Sequence, residues 1–109
     1  GAKVALTDLA GSPIEAIAAD LRARGYSAQA WVLDVSDAAA IRAVVADVAE
    51  RLGGLDALVN NAGISAFCPV EDDEHYDLIW DRAVAVLLTA HQRLVRAALP
   101  HLRRSASPR

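Results

Sequence analysis

Apolar residues along this chain alternate between short unbroken runs and a three-to-four-residue rhythm. Lys3-Val4-Ala5-Leu6-Thr7-Asp8-Leu9 reads as a short buried strand. Ser12-Pro13-Ile14-Glu15 then predicts a helix start, with Ser12 as cap, Pro13 in the first turn and Glu15 completing a capping box. Ile14, Ile17, Ala18 and Leu21 recur at helical spacing, and Gly25 is placed to end that helix in a left-handed conformation. A second strand is expected over residues 28–33, centred on Trp31, Val32 and Leu33. Ser36 is expected to cap a second helix, whose apolar stripe is Ile41, Val44, Val45, Val48 and Leu52 and whose stop is Gly53-Gly54. Ala57-Leu58-Val59-Asn60 predicts a third strand, running into the turn chemistry of Asn61-Ala62-Gly63. After a loop through Cys68-Pro69, a long helix is expected from Tyr76 to Leu99, stopping before Pro100.

Strand and helix in strict alternation, with short joints, predict right-handed crossovers and a parallel sheet covered by helices. The fold class is α/β, a partial Rossmann-like doubly wound parallel sheet within one domain, residues 1–109. Composition agrees: 54% hydrophobic and 23% charged residues suit a globular chain. The net charge of −3 argues against general nucleic-acid binding. No apolar run approaches the roughly 20 residues that a membrane span needs, so no membrane partner is expected. The single cysteine, Cys68, cannot form an internal disulfide, which makes a reducing cytoplasm the expected location. Charge is uneven: residues 71–81 hold six acids and no lysine or arginine, while residues 93–109 hold five arginines and no acid. Acids at the start of the long helix and bases at its end complement its dipole, which explains the asymmetry more simply than an anion site does.

Three strand ends carry candidate chemistry. Asp8 ends the first strand at the edge where a parallel sheet binds ligands, and a carboxylate there can accept both hydroxyls of a ribose while repelling a 2′-phosphate. Asp34, in Leu33-Asp34-Val35, closes the second strand at the same edge, or else helps start the next helix. Asn60-Asn61-Ala62-Gly63 closes the third, where Gly63 permits close backbone approach. Cys68 has no basic neighbour to activate it. His75, His91 and His101 are not at metal-ligand spacing, so no metal is expected.

Together Asp8, Leu33-Asp34-Val35 and Leu58-Val59-Asn60-Asn61-Ala62-Gly63 resemble the short-chain dehydrogenase/reductase family in order, spacing and strand-end placement. Trp80-Asp81-Arg82 and Arg96-Ala97-Ala98-Leu99-Pro100 resemble that family's next helix. The resemblance implies NAD(P)-dependent hydride transfer between the cofactor and an alcohol or carbonyl substrate. It assigns Asp8, Asp34, Val35, Asn61, Ala62 and Gly63 to the cofactor, with NAD preferred over NADP from Asp8. It also implies a small-molecule substrate and a homo-oligomer. In the family the long helix packs on its copy, and here Val84, Leu88, Leu94 and Val95 are too many apolar residues for one narrow stripe, so exposed apolar surface is expected on this helix.

The departures are as informative. The Gly-rich dinucleotide turn lies roughly 20 residues before the ribose-binding acid, which falls before Gly1. The family's Tyr-x-x-x-Lys pair is absent: the only lysine is Lys3, and the residues four beyond Tyr26 and Tyr76 are Ala30 and Trp80. Leu87 stands where many members carry an asparagine that supports a proton relay. With no methionine in the chain as well, the expectation is a fragment holding no catalytic residue and inactive alone. The second reading is a non-catalytic nucleotide-binding or interaction module. A phospho-acceptor signalling domain is disfavoured, because it needs acids after its first strand and a late lysine. The family strand order 3-2-1-4 further predicts that residues 28–33 pair in parallel with 3–9, while 57–60 stand apart across a gap.

Overall fold

A computed structural model describes residues 1–109. Two parallel strands, β1 (Lys3–Asp8) and β2 (Ser27–Val32), form its sheet, in register from Lys3 opposite Ser27 to Asp8 opposite Val32. Between them lies α1 (Ile14–Ala23), which packs on both strands through Ile14 and Ala18. The chain then forms α2 (Ala38–Leu52), α3 (Tyr76–Val84), a single π-helical turn at Ala85–Thr89 and α4 (Ala90–Leu102). The α/β class and the parallel pairing are therefore as the residue pattern predicts.

The main core lies between α2 and α4 and is closed by the chain leaving β2. Leu33 and Val35 meet Ile41 and Val45 of α2, Val86 of the π turn, and Ala90, Leu94 and Ala98 of α4. Leu58 and Ile64 pack against this cluster from either side of the Asn60–Gly63 segment. One strong polar tie joins β2 to α2: the Trp31 indole N–H donates to the Asp47 carboxylate at 2.6 Å. The Lys3 ammonium adds a bond from β1 to the last carbonyl of α2, at Leu52, 2.8 Å. The assembly is loose for its length. Its radius of gyration is 16.0 Å, against about 13 Å for a compact domain of this size. No residue of β1 is buried.

Several local expectations are corrected. The capping box at α1 does not form: Pro13 occupies the N-cap position, no side chain caps the helix, and the Ser12 hydroxyl is buried without a partner. Ser36 does not cap α2. Asp37 does, accepting from the Ala39 and Ala40 N–H groups at 2.7 and 3.0 Å, because Ser36 is occupied by Asp34. The long helix is broken by the π turn and runs on through Pro100 to Leu102. Residues 57–60 form no strand in the sheet, and no backbone hydrogen bond joins them to β1. The expected third strand is therefore absent, in keeping with a segment that has no neighbour to pair with, and the sheet has not closed between it and β1. The segment pairs instead with the last residue. Leu58 N–H donates to the Arg109 carbonyl (3.0 Å) and Arg109 N–H to that of Asp56 (2.8 Å), the alternation of a parallel bridge. Helix ends behave as expected: Gly25 and Gly53 follow α1 and α2 with φ of 87° and 83°.

Candidate functional site

The site is built where β1 and β2 end. Leu33 N–H donates to the Asp8 carbonyl at 2.8 Å, the last bond between the two strands, so the residues that follow splay from one edge. Asp8 is exposed. One of its carboxylate oxygens accepts from the adjacent Leu9 N–H at 2.7 Å, and no arginine or lysine pairs with it. The other oxygen is free to accept from a ligand. A tight turn follows, closed by Ser12 N–H on the Leu9 carbonyl (3.2 Å) with Gly11 at φ 85°, and it carries the chain away from the edge.

Asp34 bends back on Ser36. A single oxygen, Oδ1, accepts both the Ser36 N–H (2.9 Å) and its hydroxyl (2.7 Å). The hydroxyl bond holds the Asp34 carboxyl below its ordinary range, the N–H bond adds to this, burial opposes it, and the positive charge of Arg82 contributes last. The structural reading of Asp34 as a helix-start residue is thus correct for Oδ1 only. Oδ2 takes no protein hydrogen bond, and neither does the N–H of Val35, whose side chain is fixed in the core. A free acceptor beside a free donor on adjacent residues matches the amino group and ring nitrogen along one edge of adenine. The exposed carboxylate of Asp8, with one oxygen free, lies at the end of the neighbouring strand. The residues present therefore fit the adenosine half of a dinucleotide.

Asn61, Ala62 and Gly63 are exposed, held between Leu58 and Ile64 in the core. Asn61 N–H donates to the Val59 carbonyl at 3.1 Å, a three-residue turn that ends the extended segment. Gly63 lies over the π turn: a Cβ there would sit 3.5 Å from Leu87 Cδ2. Beside this loop are two open clefts. One, of about 250 Å³, is lined by Ile64, Ser65, Ala66, Phe67, Ile79 and Arg82. The other, of about 260 Å³ and wholly apolar in its lining, runs from Cys68 along Tyr76, Trp80, Ala83 and Leu87. Cys68 is a poor nucleophile, because burial and the neighbouring Asp72 charge push its thiol upward. No three His, Cys, Asp or Glu side chains converge as a metal site.

Sequence reading missed two contributors. Arg82 acts on Asp34 by charge, and Arg93 donates to the Ser36 carbonyl at 3.2 Å. Neither is close to Asp34 in sequence, so nothing in the local pattern marks them.

Parallel α/β topology with polar residues at one sheet edge is compatible with many functions, and comparison with known proteins narrows this. The pattern of the short chain dehydrogenase family matches residues 1–108, and the chain belongs to that family. It is 41% identical over 100 residues to the short chain dehydrogenase/reductase dpchG of Colletotrichum higginsianum, covering 91% of this chain and 37% of that one. Among solved structures, a short chain dehydrogenase from Mycobacterium smegmatis superposes with a TM-score of 0.84 at 36% identity, over 97% of this chain and 43% of that one. A metagenomic short-chain oxidoreductase in complex with NADP gives 0.86 at 32% identity, over 99% and 48%. The chain spans less than half the length of each of these relatives.

Proposed function

We propose that residues 1–109 form the adenosine-binding half of a nicotinamide-dinucleotide site in an oxidoreductase acting on an alcohol or carbonyl group. When bound, the nicotinamide supplies the hydride donor or acceptor. This chain's residues bind and orient the far end of the same molecule. Asp8 accepts from the adenosine ribose hydroxyls. Asp34 Oδ2 and Val35 N–H read the adenine edge. Asn61, Ala62 and Gly63 form the neighbouring wall, with Gly63 leaving room for the dinucleotide to approach the backbone. The observation that carries the reading is the pairing of a free Asp34 oxygen with a free Val35 N–H beside the unpaired Asp8 carboxylate.

A preference for NAD over NADP follows from Asp8. Its charge is unpaired, and a 2′-phosphate beside it meets like-charge repulsion. The NADP complex of the metagenomic relative shows that the family admits the phosphate, so the choice rests on this one residue. The test is steady-state kinetics of the full-length protein containing residues 1–109, with NAD and NADP, before and after Asp8→Ala. The NAD/NADP ratio of kcat/KM is expected to fall by roughly tenfold or more, as loss of an opposing charge worth over 1 kcal/mol requires. An unchanged ratio refutes the assignment.

The catalytic groups, a cytoplasmic location and self-association belong to that same reading. The first is supported by the missing Tyr-x-x-x-Lys pair: in this reading residues 1–109 hold no proton-transferring group and are inactive alone. The second is supported by the absence of any helix long and apolar enough to cross a membrane and by the lone cysteine. The third is supported by exposed apolar residues along α3 and α4.

A further inference from the structure

The turn that carries Asp34 and Val35 lies beyond the sheet. The last strand-to-strand bond is Leu33 N–H to Asp8, and α2 begins only at Ala38. Within the turn the bonds are local: Ser36 to Asp34 Oδ1, and Asp37 N–H to the Asp34 carbonyl at 3.1 Å. Such bonds shape a turn but do not place it relative to the rest of the fold. Two features do. The Val35 side chain sits in the core beside Ala90 and Leu94. Arg93, between those two on α4, sends Nη1–H to the Ser36 carbonyl at 3.2 Å. That bond spans 57 positions and is the only hydrogen bond tying the Asp34–Ser36 turn to α4. Arg93 is half-buried and pairs with no carboxylate. A partly buried guanidinium that is spent on a carbonyl oxygen serves geometry and not charge neutralisation.

We infer that Arg93 is a positioning residue for the adenine end of the site: through the Ser36 carbonyl it fixes the turn that aims Asp34 Oδ2 and Val35 N–H. This rests on the adenosine-site reading above. A van der Waals anchor such as Val35 sets the depth of the turn, but it leaves rotation about the chain open. A directional bond one residue further on removes that rotation. The two free groups of adjacent residues then keep the mutual angle that a planar base edge demands. Arg82 of α3 adds its charge to Asp34 without a hydrogen bond to the turn.

The test uses the full-length protein containing residues 1–109. Arg93→Met keeps the apolar stem and removes the donor, Arg93→Lys keeps a donor, and Arg96→Ala removes the same charge from an exposed position of α4. AMP is the probe, because it carries the adenosine without the nicotinamide. Calorimetry reads its Kd, steady-state kinetics read KM and kcat with NAD, and thermal melting reads stability. Arg93→Met is expected to raise the AMP Kd and the NAD KM by roughly threefold to tenfold, the range a single hydrogen bond supplies, and by more than any fall in kcat. Arg93→Lys recovers most of the loss, and Arg96→Ala shows none. Arg93→Leu, which also lacks a donor and carries the same expectation, covers a failure of Arg93→Met to fold. A lowered melting temperature with unchanged AMP Kd and NAD KM overturns the positioning role and leaves the adenosine site standing. Failure of the unmutated protein to bind AMP or NAD overturns both.

Discussion

The indole N–H of Trp31 donates to the Asp47 carboxylate across 2.6 Å, and Arg51 closes the group by pairing with the same carboxylate and lying over the Trp31 ring. This is the chief polar link between β2 and α2, and it makes stability depend on pH. The indole bond holds the Asp47 carboxyl below its ordinary range, against an opposing effect of burial and with further help from Arg51. A carboxyl lowered in the folded state stabilises fully above its unfolded value, near pH 4, and that contribution disappears as pH falls through the folded value. Asp34 and Asp72 are lowered as well, by Ser36 and His75 respectively. Stability is therefore expected to be flat between about pH 5 and 7 and to drop steeply below pH 4. Urea titrations across that range check it. Asp47→Asn should reduce the acid-side slope, and an unaltered slope removes Asp47 from the explanation.

Ile41 is the most enclosed large side chain, 1% exposed between β2's exit and α4. Ile41→Ala is expected to cost about 2–4 kcal/mol, transfer and cavity effects together. Chemical denaturation of the full-length protein measures this. A loss below about 1 kcal/mol would mean that the core has collapsed around the site.

What could be read from the residues alone follows a physical line. Ile41, Val45 and Val48 repeat at helical spacing and all are buried, because a helix makes its own hydrogen bonds and needs only one apolar face. Asp8 was legible as a strand-end polar residue for a similar reason, since the ends of apolar runs are visible in sequence; Asp34 falls two residues past β2, and Asn61 follows a segment that forms no strand. Residues 57–60 have the same strand composition as β2, yet they form no ladder, because a strand depends on a partner whose presence its own residues cannot announce. Ser12 and Ser36 both carry a capping pattern, but the neighbours Pro13 and Asp37 occupy the cap positions. The π turn falls in Ala-Val-Leu-Leu-Thr, an ordinary helical stretch with no marker of an extra residue. Arg93 was illegible because its role depends on a carbonyl 57 positions away.

Gly63 gives a way to separate folding from binding. Its φ is not in the left-handed region, and an added Cβ would meet Leu87 Cδ2 at 3.5 Å, an ordinary contact. The chain itself therefore does not require glycine here. Gly63→Ala is expected to leave stability unchanged within about 0.5 kcal/mol, or to raise it slightly by stiffening the unfolded chain. If Gly63 belongs to the proposed wall of the dinucleotide site, affinity for the dinucleotide is expected to fall nevertheless, because any added side-chain atom narrows a close approach to the backbone. Melting temperature and NAD affinity of the same variant decide the point. Loss of stability with unchanged affinity would make Gly63 a structural residue only.

The proposed self-association makes different predictions for different residues of the long helical segment. Val84, Leu88, Leu94 and Val95 are too many apolar residues for one narrow stripe, and the structure divides them. Leu94 is buried in the core against α2, and Val84 is half-buried. Leu88 is 67% exposed and Val95 43%, and Leu99, one turn further along α4, continues the exposed line. The division has a geometric cause, since Leu94 and Val95 are successive residues and a helix turns about 100° between them. Leu88→Arg is therefore expected to weaken association while leaving the fold intact, because an exposed site accepts a charge that an apolar interface rejects. Leu94→Ala is expected to destabilise by about 2–4 kcal/mol through the core. Light scattering and melting of the two full-length variants should move in opposite patterns. A Leu88→Arg protein with unchanged mass at every concentration would exclude this face as the interface.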